Sequence, residues 1–183
     1  MGRRGGQMFY DHQSGKVILL GGFYYASPDK TFTRLNDVWA WDGKTWQFVT
    51  TLSKSLIITN PNVAYDSQRQ QTRLFDYKQI MSWTNGQWNV IDVTAQPSSR
   101  FGSWLAADPD NGKILLFGGV ENNVQRNDTW VLDGNIWKEL HPDLTPSPRD
   151  AYVMFFDPNR KSFIVFGGVS NFALDDMWEL VLP

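Results

Sequence analysis

The stretch that decides the fold runs from Asp108 to Trp137 and reads DPDNGKILLFGGVENNVQRNDTWVLDGNIW. A turn of Asp, Pro, Asn and Gly leads into an apolar strand, 113–117, which stops at the glycine pair Gly118-Gly119. A polar loop then precedes a second strand, 129–132, and an Asp-Gly turn follows it. Short apolar segments bounded by such turn signals, without helical periodicity, predict a unit of antiparallel β-strands.

The rest of the chain repeats this unit. In each copy an Asp is followed ten residues later by the end of an apolar strand. The three clear copies are Asp11 with Gly21-Gly22, Asp108 with Gly118-Gly119 and Asp157 with Gly167-Gly168. Asp66 keeps the spacing but meets Asp76-Tyr77, so the second copy is degenerate. The copies begin 55, 42 and 49 residues apart, which lies in the range of propeller repeats.

Tryptophan and arginine residues recur in the same register. An acidic quartet ending in Trp follows the glycines, and a second Trp follows seven residues later in two copies. An Arg lies eight residues before the repeat Asp in three copies. The positions are Trp39 with Trp46, Trp130 with Trp137, Trp178 alone, and the arginines Arg3, Arg100 and Arg149. These landmarks support the repeat in the first, third and fourth units, and the second unit keeps them only in part.

On these residues the chain resembles the kelch-repeat family, in which a double glycine follows an apolar strand and spaced tryptophans come after it. The resemblance implies that each unit is one four-stranded antiparallel blade of a β-propeller, and so an all-β fold of about four blades. As one domain, residues 1–183 divide into blades at about 3–49, 50–93, 94–142 and 143–183, the second degenerate and the fourth incomplete.

The repeated residues have structural interpretations. Glycine after the second strand tolerates positive φ and close approach of a neighbouring strand, and the tryptophans are expected to lie between adjacent blades. The arginines leave two alternatives open. In the first alternative the arginines line the mouth of a channel and bind an anion. In the second they form ion pairs with the Asp of the acidic quartet.

The fourth unit lacks an expected residue. Trp178 predicts a partner Trp near position 185, beyond Pro183, so the chain carries about three and three-quarter blades. It is interpreted as a fragment of a larger propeller, an unusually small closed ring, or a half-ring that pairs with a second copy. We favour self-association, because open end blades would expose apolar faces. The specific hypothesis is a dimer that completes an eight-bladed ring.

Composition excludes several classes of function. The formal net charge is −2 without blocks of like charge, so neither nucleic acid nor a membrane surface is an expected partner. The chain has no Cys, no signal peptide and no transmembrane segment, which predicts a soluble protein of unknown compartment. No metal-ligand spacing, phosphate loop or nucleophile motif is present, so no metal, cofactor or enzymatic activity is expected.

Function is therefore expected on loop surfaces. The loop 23–35 is the longest between repeat strands and holds aromatic residues beside cations. The candidate binding residues are Phe23, Tyr24, Tyr25, Phe32, Arg34, Arg100 and Arg149. The favoured hypothesis is a non-enzymatic scaffold that binds a protein partner or a second copy of itself. The alternative is a carbohydrate-binding module or a fragment of a sugar-processing propeller enzyme resembling sialic-acid epimerases, with those arginines around the channel.

Overall fold

The structure is a computed structural model that describes residues 2–26, 31–53 and 62–182. It is all-β, and no helix occurs within these ranges. The strands are β1 (Gln7–Asp11), β2 (Lys16–Leu20), β3 (Phe23–Ala26), β4 (Thr31–Arg34), β5 (Asp37–Trp41), β6 (Trp46–Thr51), β7 (Asn62–Asp66), β8 (Gln71–Phe75), β9 (Ile80–Thr84), β10 (Gln87–Val90), β11 (Trp104–Ala107), β12 (Ile114–Glu121), β13 (Val124–Asp133), β14 (Ile136–Leu140), β15 (Val153–Asp157), β16 (Ser162–Val169) and β17 (Ala173–Leu180).

The strands form four antiparallel sheets arranged as the blades of a four-bladed β-propeller. The first three sheets have four strands each, in the orders β1-β2-β5-β6, β7-β8-β9-β10 and β11-β12-β13-β14. The fourth sheet, β15-β16-β17, has three strands in the described part of the chain. Strands β3 and β4 form a separate two-stranded hairpin between β2 and β5. The fold class predicted from the repeats is confirmed.

The repeat Asp closes the first turn of each blade. Asp108 accepts hydrogen bonds from the backbone N–H of Asp110 and the side-chain amide of Asn111. Asp157 likewise accepts from the backbone N–H groups of Asn159 and Arg160. A carboxylate that caps its own turn holds two strands in a fixed register. This local interaction explains why the same Asp recurs in all four units.

The glycine pair lies at a β-bulge, and the two strands that meet there continue to pair beyond it. Gly118 and Gly119 have φ of 52° and 93°, and the register of β12 with β13 shifts between Phe117 and Gly119. Both strands then pair as far as a two-residue turn at Asn122 and Asn123, where φ is positive at both residues. The polar loop predicted between Gly119 and the strand at 129–132 was therefore wrong. Apart from its turn, it is strand, because Asn tolerates the left-handed region that such a turn requires.

Apolar clusters between adjacent blades form the core. The first joins blades one and two through residues such as Leu20 and Met81. The second joins blades two and three, and the third joins blades three and four through residues such as Phe117 and Met154. The innermost strand β7 contacts β1 and β11, and β11 also contacts β15. Within the described residues none of these three apolar clusters joins blade four to blade one, so the four blades form an open arc.

The degenerate second unit still forms a complete blade. In place of a glycine pair it has a tight turn, in which buried Asp76 accepts hydrogen bonds from the backbone N–H groups of Lys78 and Gln79. The first Trp of the pair is displaced to Trp83 on β9, whose ring lies 5.1 Å from that of Trp88 on β10. The blade therefore keeps its aromatic packing while losing the long hairpin of the other units.

We predict that Gly119→Ala destabilises the fold far more than Gly43→Ala does. The two glycines have similar φ of 93° and 98°, so an alanine at either position carries the same backbone strain, about 1 kcal/mol. A Cβ at Gly119 would lie 2.7 Å from the Ser103 nitrogen, whereas nothing lies within 4 Å of one at Gly43. Urea unfolding of both variants should show at least about 2 kcal/mol of additional loss for Gly119→Ala. Equal losses would contradict this packing role.

Candidate functional site

Three copies of one buried polar cluster occupy the repeated Arg and Asp positions. In blade three, Arg100 donates to the Asp128 carboxylate and, over 3.2 Å, to the Gly118 carbonyl. Trp130 donates its indole N–H to the same carboxylate over 2.8 Å. Blade four repeats the set with Arg149, Asp176, Gly167 and Trp178, and blade one repeats it with Arg3, Asp37, Gly21 and Trp39.

These contacts hold the carboxylates ionised. Burial alone would raise the pKa of Asp128, but hydrogen bonds from Arg100 and Trp130 outweigh it and lower the pKa. In blade four the hydrogen bond from Arg149 is the largest influence and lowers the pKa of Asp176 to about 2. Each cluster is therefore a permanent ion pair near neutral pH, without a group that titrates there.

The ion-pair interpretation of the repeated arginines is confirmed. The side chain of Arg149 has 0% and that of Arg100 2% of its surface exposed. Arg149 also donates to the backbone carbonyl and hydroxyl of Ser147, so its donors are directed at protein groups. The structure places the side chains of these two candidate binding residues inside the blades, and Arg100 also borders the cleft beside Phe101.

The candidate aromatic residues of the loop 23–35 lie on a β-hairpin rather than in an open loop. Strands β3 and β4 pair Phe23 with Arg34 and Tyr25 with Phe32, which places these four side chains on one face. The ring centroids of Tyr25 and Phe32 are 5.9 Å apart, and the Arg34 guanidinium lies 5.6 Å from the Phe32 centroid. Tyr24 pairs with Thr33 and belongs to the opposite face. The tip, residues 27–30, lies outside the described residues.

This hairpin borders a cleft on the loop side of the propeller. Arg34 forms one wall, and Tyr77 and Phe101, with ring centroids 6.5 Å apart, form another. The exposed amides of Asn122 and Asn123 complete the rim. Burial raises the pKa of the Tyr77 phenol, so the ring stays neutral. Aromatic faces beside amides and a guanidinium suit a polar ligand with apolar faces, such as a sugar or a peptide loop.

The outer face of blade one is a continuous apolar surface. Two cross-strand rows cover it, and every side chain in them is apolar or aromatic. Its most exposed members are Met8, Tyr10 and Phe48, and the indoles of Trp41 and Trp46 lie 5.5 Å apart. The rows are Met8-Leu19-Trp39-Phe48 and Tyr10-Val17-Trp41-Trp46. No other blade covers this face in the described part of the chain.

The opposite end of the arc exposes a matching face on blade four. One row across this sheet is Val153-Phe166-Met177, and each of its side chains is exposed. The next row contains exposed Phe155 beside buried Ile164 and the charged Glu179, so the exposed apolar area of this face is centred on the first row. Isolated exposed apolar residues are common on proteins, but contiguous rows of them mark an association surface. Both ends of the arc therefore expose apolar side chains in the described part of the chain.

The sequence analysis missed one buried charged pair in the second blade. Arg73 lies in the middle of strand β8 with 3% of its side chain exposed, 3.7 Å from the carboxylate of Asp66. Its Nε has no hydrogen-bond partner, and burial lowers the pKa of its guanidinium. An Arg at the position where the other repeats have an apolar residue, in the sequence QTRLF, was the signal that could have revealed it.

Among the described residues no three His, Asp or Glu side chains are placed to hold a metal ion. Within the same ranges no helix has the length and apolar character needed to cross a bilayer. A scan against protein-family models finds none that matches this chain.

We predict that Asp176→Asn lowers stability at pH 6 and flattens its dependence on pH between 4 and 2. The folded-state pKa of about 2 lies below the ordinary value of 3.8, so the ion pair stabilises the fold above pH 4. That contribution is lost as the pH falls towards 2. Urea unfolding between pH 2 and pH 6 measures this contribution to the free energy of unfolding. The matched control is Asp175→Asn, at an exposed neighbour outside the cluster. An unchanged pH slope in Asp176→Asn would contradict the assignment.

Proposed function

We propose that this chain is a kelch-type propeller half that acts as a non-enzymatic scaffold and associates with a second copy through its two open end faces. The observation that carries the proposal is the pair of contiguous apolar rows, Met8 to Phe48 on blade one and Val153 to Met177 on blade four. Elsewhere in the arc, such faces are packed against a neighbouring blade.

The arrangement of the faces favours a closed dimer. Blade one of one copy meets blade four of the other, and a two-fold axis creates the same contact twice. Each contact joins two different surfaces, and with suitable curvature the second contact closes the ring instead of starting a filament. Two arcs of four blades would complete an eight-bladed ring. That number lies within the usual four to eight of propellers.

The kelch assignment is supported by the way in which the repeat motifs act in space. Gly118 and Gly167 both lie at bulges between paired strands and both give their carbonyl to a buried Arg. The quartet Asp of each such blade accepts from that Arg and from the following Trp. The motif residues thus form one cooperative unit within each blade.

A protein partner is proposed for the loop side. The aromatic face of the β3-β4 hairpin exposes Tyr25 and Phe32 beside Arg34. Rigid aromatic rings next to a guanidinium are common anchors in protein interfaces. In the closed dimer each half would present one such hairpin. The scaffold therefore would offer two equivalent docking sites to its partner.

We predict that the chain sediments at twice its 21.0 kDa mass and that either Phe48→Glu or Met177→Glu makes it monomeric. Each variant places an unpaired carboxylate in both contacts of the dimer, which should weaken association at least about 100-fold, roughly 3 kcal/mol. Light scattering over a dilution series measures the mass. Val90→Glu is the matched control, because Val90 is 58% exposed, as Phe48 is 56% exposed, but belongs to the interior second blade.

A wild-type chain that is monomeric at every concentration would overturn the proposed dimer. A dimer that survives both end-face variants would place the association surface elsewhere on the molecule. Circular dichroism of each variant separates loss of association from loss of folding, since all three substituted side chains are exposed.

Carbohydrate binding is the second candidate function, and the cleft between Arg34, Phe101 and the Asn122-Asn123 turn favours it. We expect Phe101→Ala to abolish binding of a glycan, because sugars stack their apolar faces on exposed rings. Phe172→Ala, at an exposed ring outside the cleft, should leave binding intact. A glycan array identifies a sugar that binds the wild-type chain, and titration with that sugar then compares its affinity for the two variants. Binding that is unaffected by Phe101→Ala, or no binding to any glycan, would remove this candidate.

A further inference from the structure

One position of the repeat is charged in blade two and apolar in the other three blades. Seven residues after the repeat Asp, those three blades have Ile18, Leu115 and Ile164, all of them buried. Blade two has Arg73 at this position, with 3% of its side chain exposed. On the neighbouring strand it stands opposite Ser82, which is also buried. The seam that blade two forms with blade three therefore contains a guanidinium where the repeat otherwise has an aliphatic side chain.

The protein leaves this guanidinium incompletely paired. The Nε of Arg73 has no hydrogen-bond partner, and its ion-pair partner, the carboxylate of Asp66, lies 3.7 Å away, beyond hydrogen-bond distance. Asp66 itself accepts hydrogen bonds from the backbone N–H and the guanidinium of Arg69. Arg149, by contrast, donates to two carbonyls, a hydroxyl and a carboxylate. Because a buried cation without such partners is costly, Arg73 has a role other than stabilising the blade.

Arg73 lines a cleft of about 780 Å³ between blades two and three, which is the size of a small-molecule site. Two acidic side chains, Asp92 and Asp133, line the same cleft and are exposed. The exposed aliphatic side chains of Val90 and Ile136 form an apolar part of its wall. A buried guanidinium, carboxylates and aliphatic surface therefore meet in one cavity.

These groups suit a ligand that carries charges of both signs. Arg69 also lines the cleft, but its guanidinium is shared between Asp66 and Asp133, so Arg73 is the cation with donors to spare. A guanidinium binds carboxylate or phosphate. The nearby carboxylates repel a phosphate dianion and attract an ammonium group. A carboxylate that is joined to an ammonium group is therefore favoured over a phosphate.

We propose that this cleft binds a free α-amino acid with an aliphatic side chain. The ligand carboxylate accepts from the guanidinium of Arg73, its ammonium group pairs with Asp92, and its side chain packs on Val90 and Ile136. Such a ligand has no net charge, and neither has the lining, in which two arginines face two aspartates. The cleft lies at an interior seam, apart from the end faces and from the cleft beside Phe101, so the site requires neither the proposed dimer nor glycan binding.

The first test titrates L-leucine into the intact chain to millimolar concentration and follows it by NMR. Shifts are expected at the Arg73 side-chain Nε–H and at the backbone amides of Asp92 and Asn135. Two analogues that each lack one charge separate the ends of the ligand. Isoamylamine, without the carboxylate, should bind at least about 10-fold more weakly than leucine. Isocaproate, without the ammonium group, should bind about 3-fold more weakly, because Asp92 is exposed.

The second test substitutes Arg73 with leucine, an aliphatic residue like those of the other repeats. Arg73→Leu should weaken leucine binding at least about 10-fold. Its urea midpoint should be equal to that of the wild type or higher, because Asp66 keeps two hydrogen bonds from Arg69. Arg160→Leu is the matched control, at a half-exposed arginine in the first turn of blade four, and should bind normally.

The third test addresses the ammonium end of the ligand. Asp92→Asn should remove the preference for leucine over isocaproate, whereas Asp143→Asn, at an exposed residue outside the cleft, should preserve it. The absence of shifts at the cleft with leucine, equal binding of isoamylamine, or full leucine binding by Arg73→Leu would each overturn the proposal. If Arg73→Leu does not fold, the two analogues and Asp92→Asn still decide the question.

Discussion

Blades one, three and four depend on a largely buried arginine that must be fully hydrogen-bonded to be tolerated. The guanidinium of Arg149 is removed from water, and an isolated charge in that position would cost several kcal/mol. Its partners come from three places in the chain: Ser147 just before the inner strand, the Gly167 carbonyl at the bulge, and Asp176 on the third strand. Satisfying this one group therefore fixes the relative positions of three strands. The glycine bulge is part of that requirement, because it turns its carbonyl towards the arginine.

The open arc follows from how the apolar residues are distributed between the two faces of each sheet. Every blade has apolar residues on both faces, so every face needs a neighbour to cover it. Four blades in a row form three covered seams. In the described part of the chain they leave two end faces without a neighbouring blade. The rows on blade one and blade four are thus not a separate adaptation added to the repeat. They are the ordinary inter-blade surfaces of the repeat, and in the described part of the chain no blade covers them.

The sequence predicted the framework well because the framework rests on short-range, repeated chemistry. The Asp at each first turn, the glycine bulges and the Arg-to-Asp pairing recur at constant spacing, so a single pattern predicted four blades. The hairpins were mispredicted as loops, since β12 and β13 continue through polar residues such as Gln125 and Arg126 whose strand character depends on pairing. Arg73 was missed because its partner, Asp66, was already assigned to a turn. The cleft at Phe101 could not be predicted, since it joins residues of three blades that only the propeller geometry brings together.

Two kinds of unsatisfied surface then distinguish how this molecule can associate. A sheet face such as the Met8 row lacks directional groups, so it selects a partner only by shape and apolar area. A sheet edge such as β17 presents backbone donors and acceptors at a fixed spacing, so it selects an extended strand in one register. A face and an edge thus differ in the contact that each offers: the face is apolar and non-directional, whereas the edge is a row of backbone hydrogen-bonding groups.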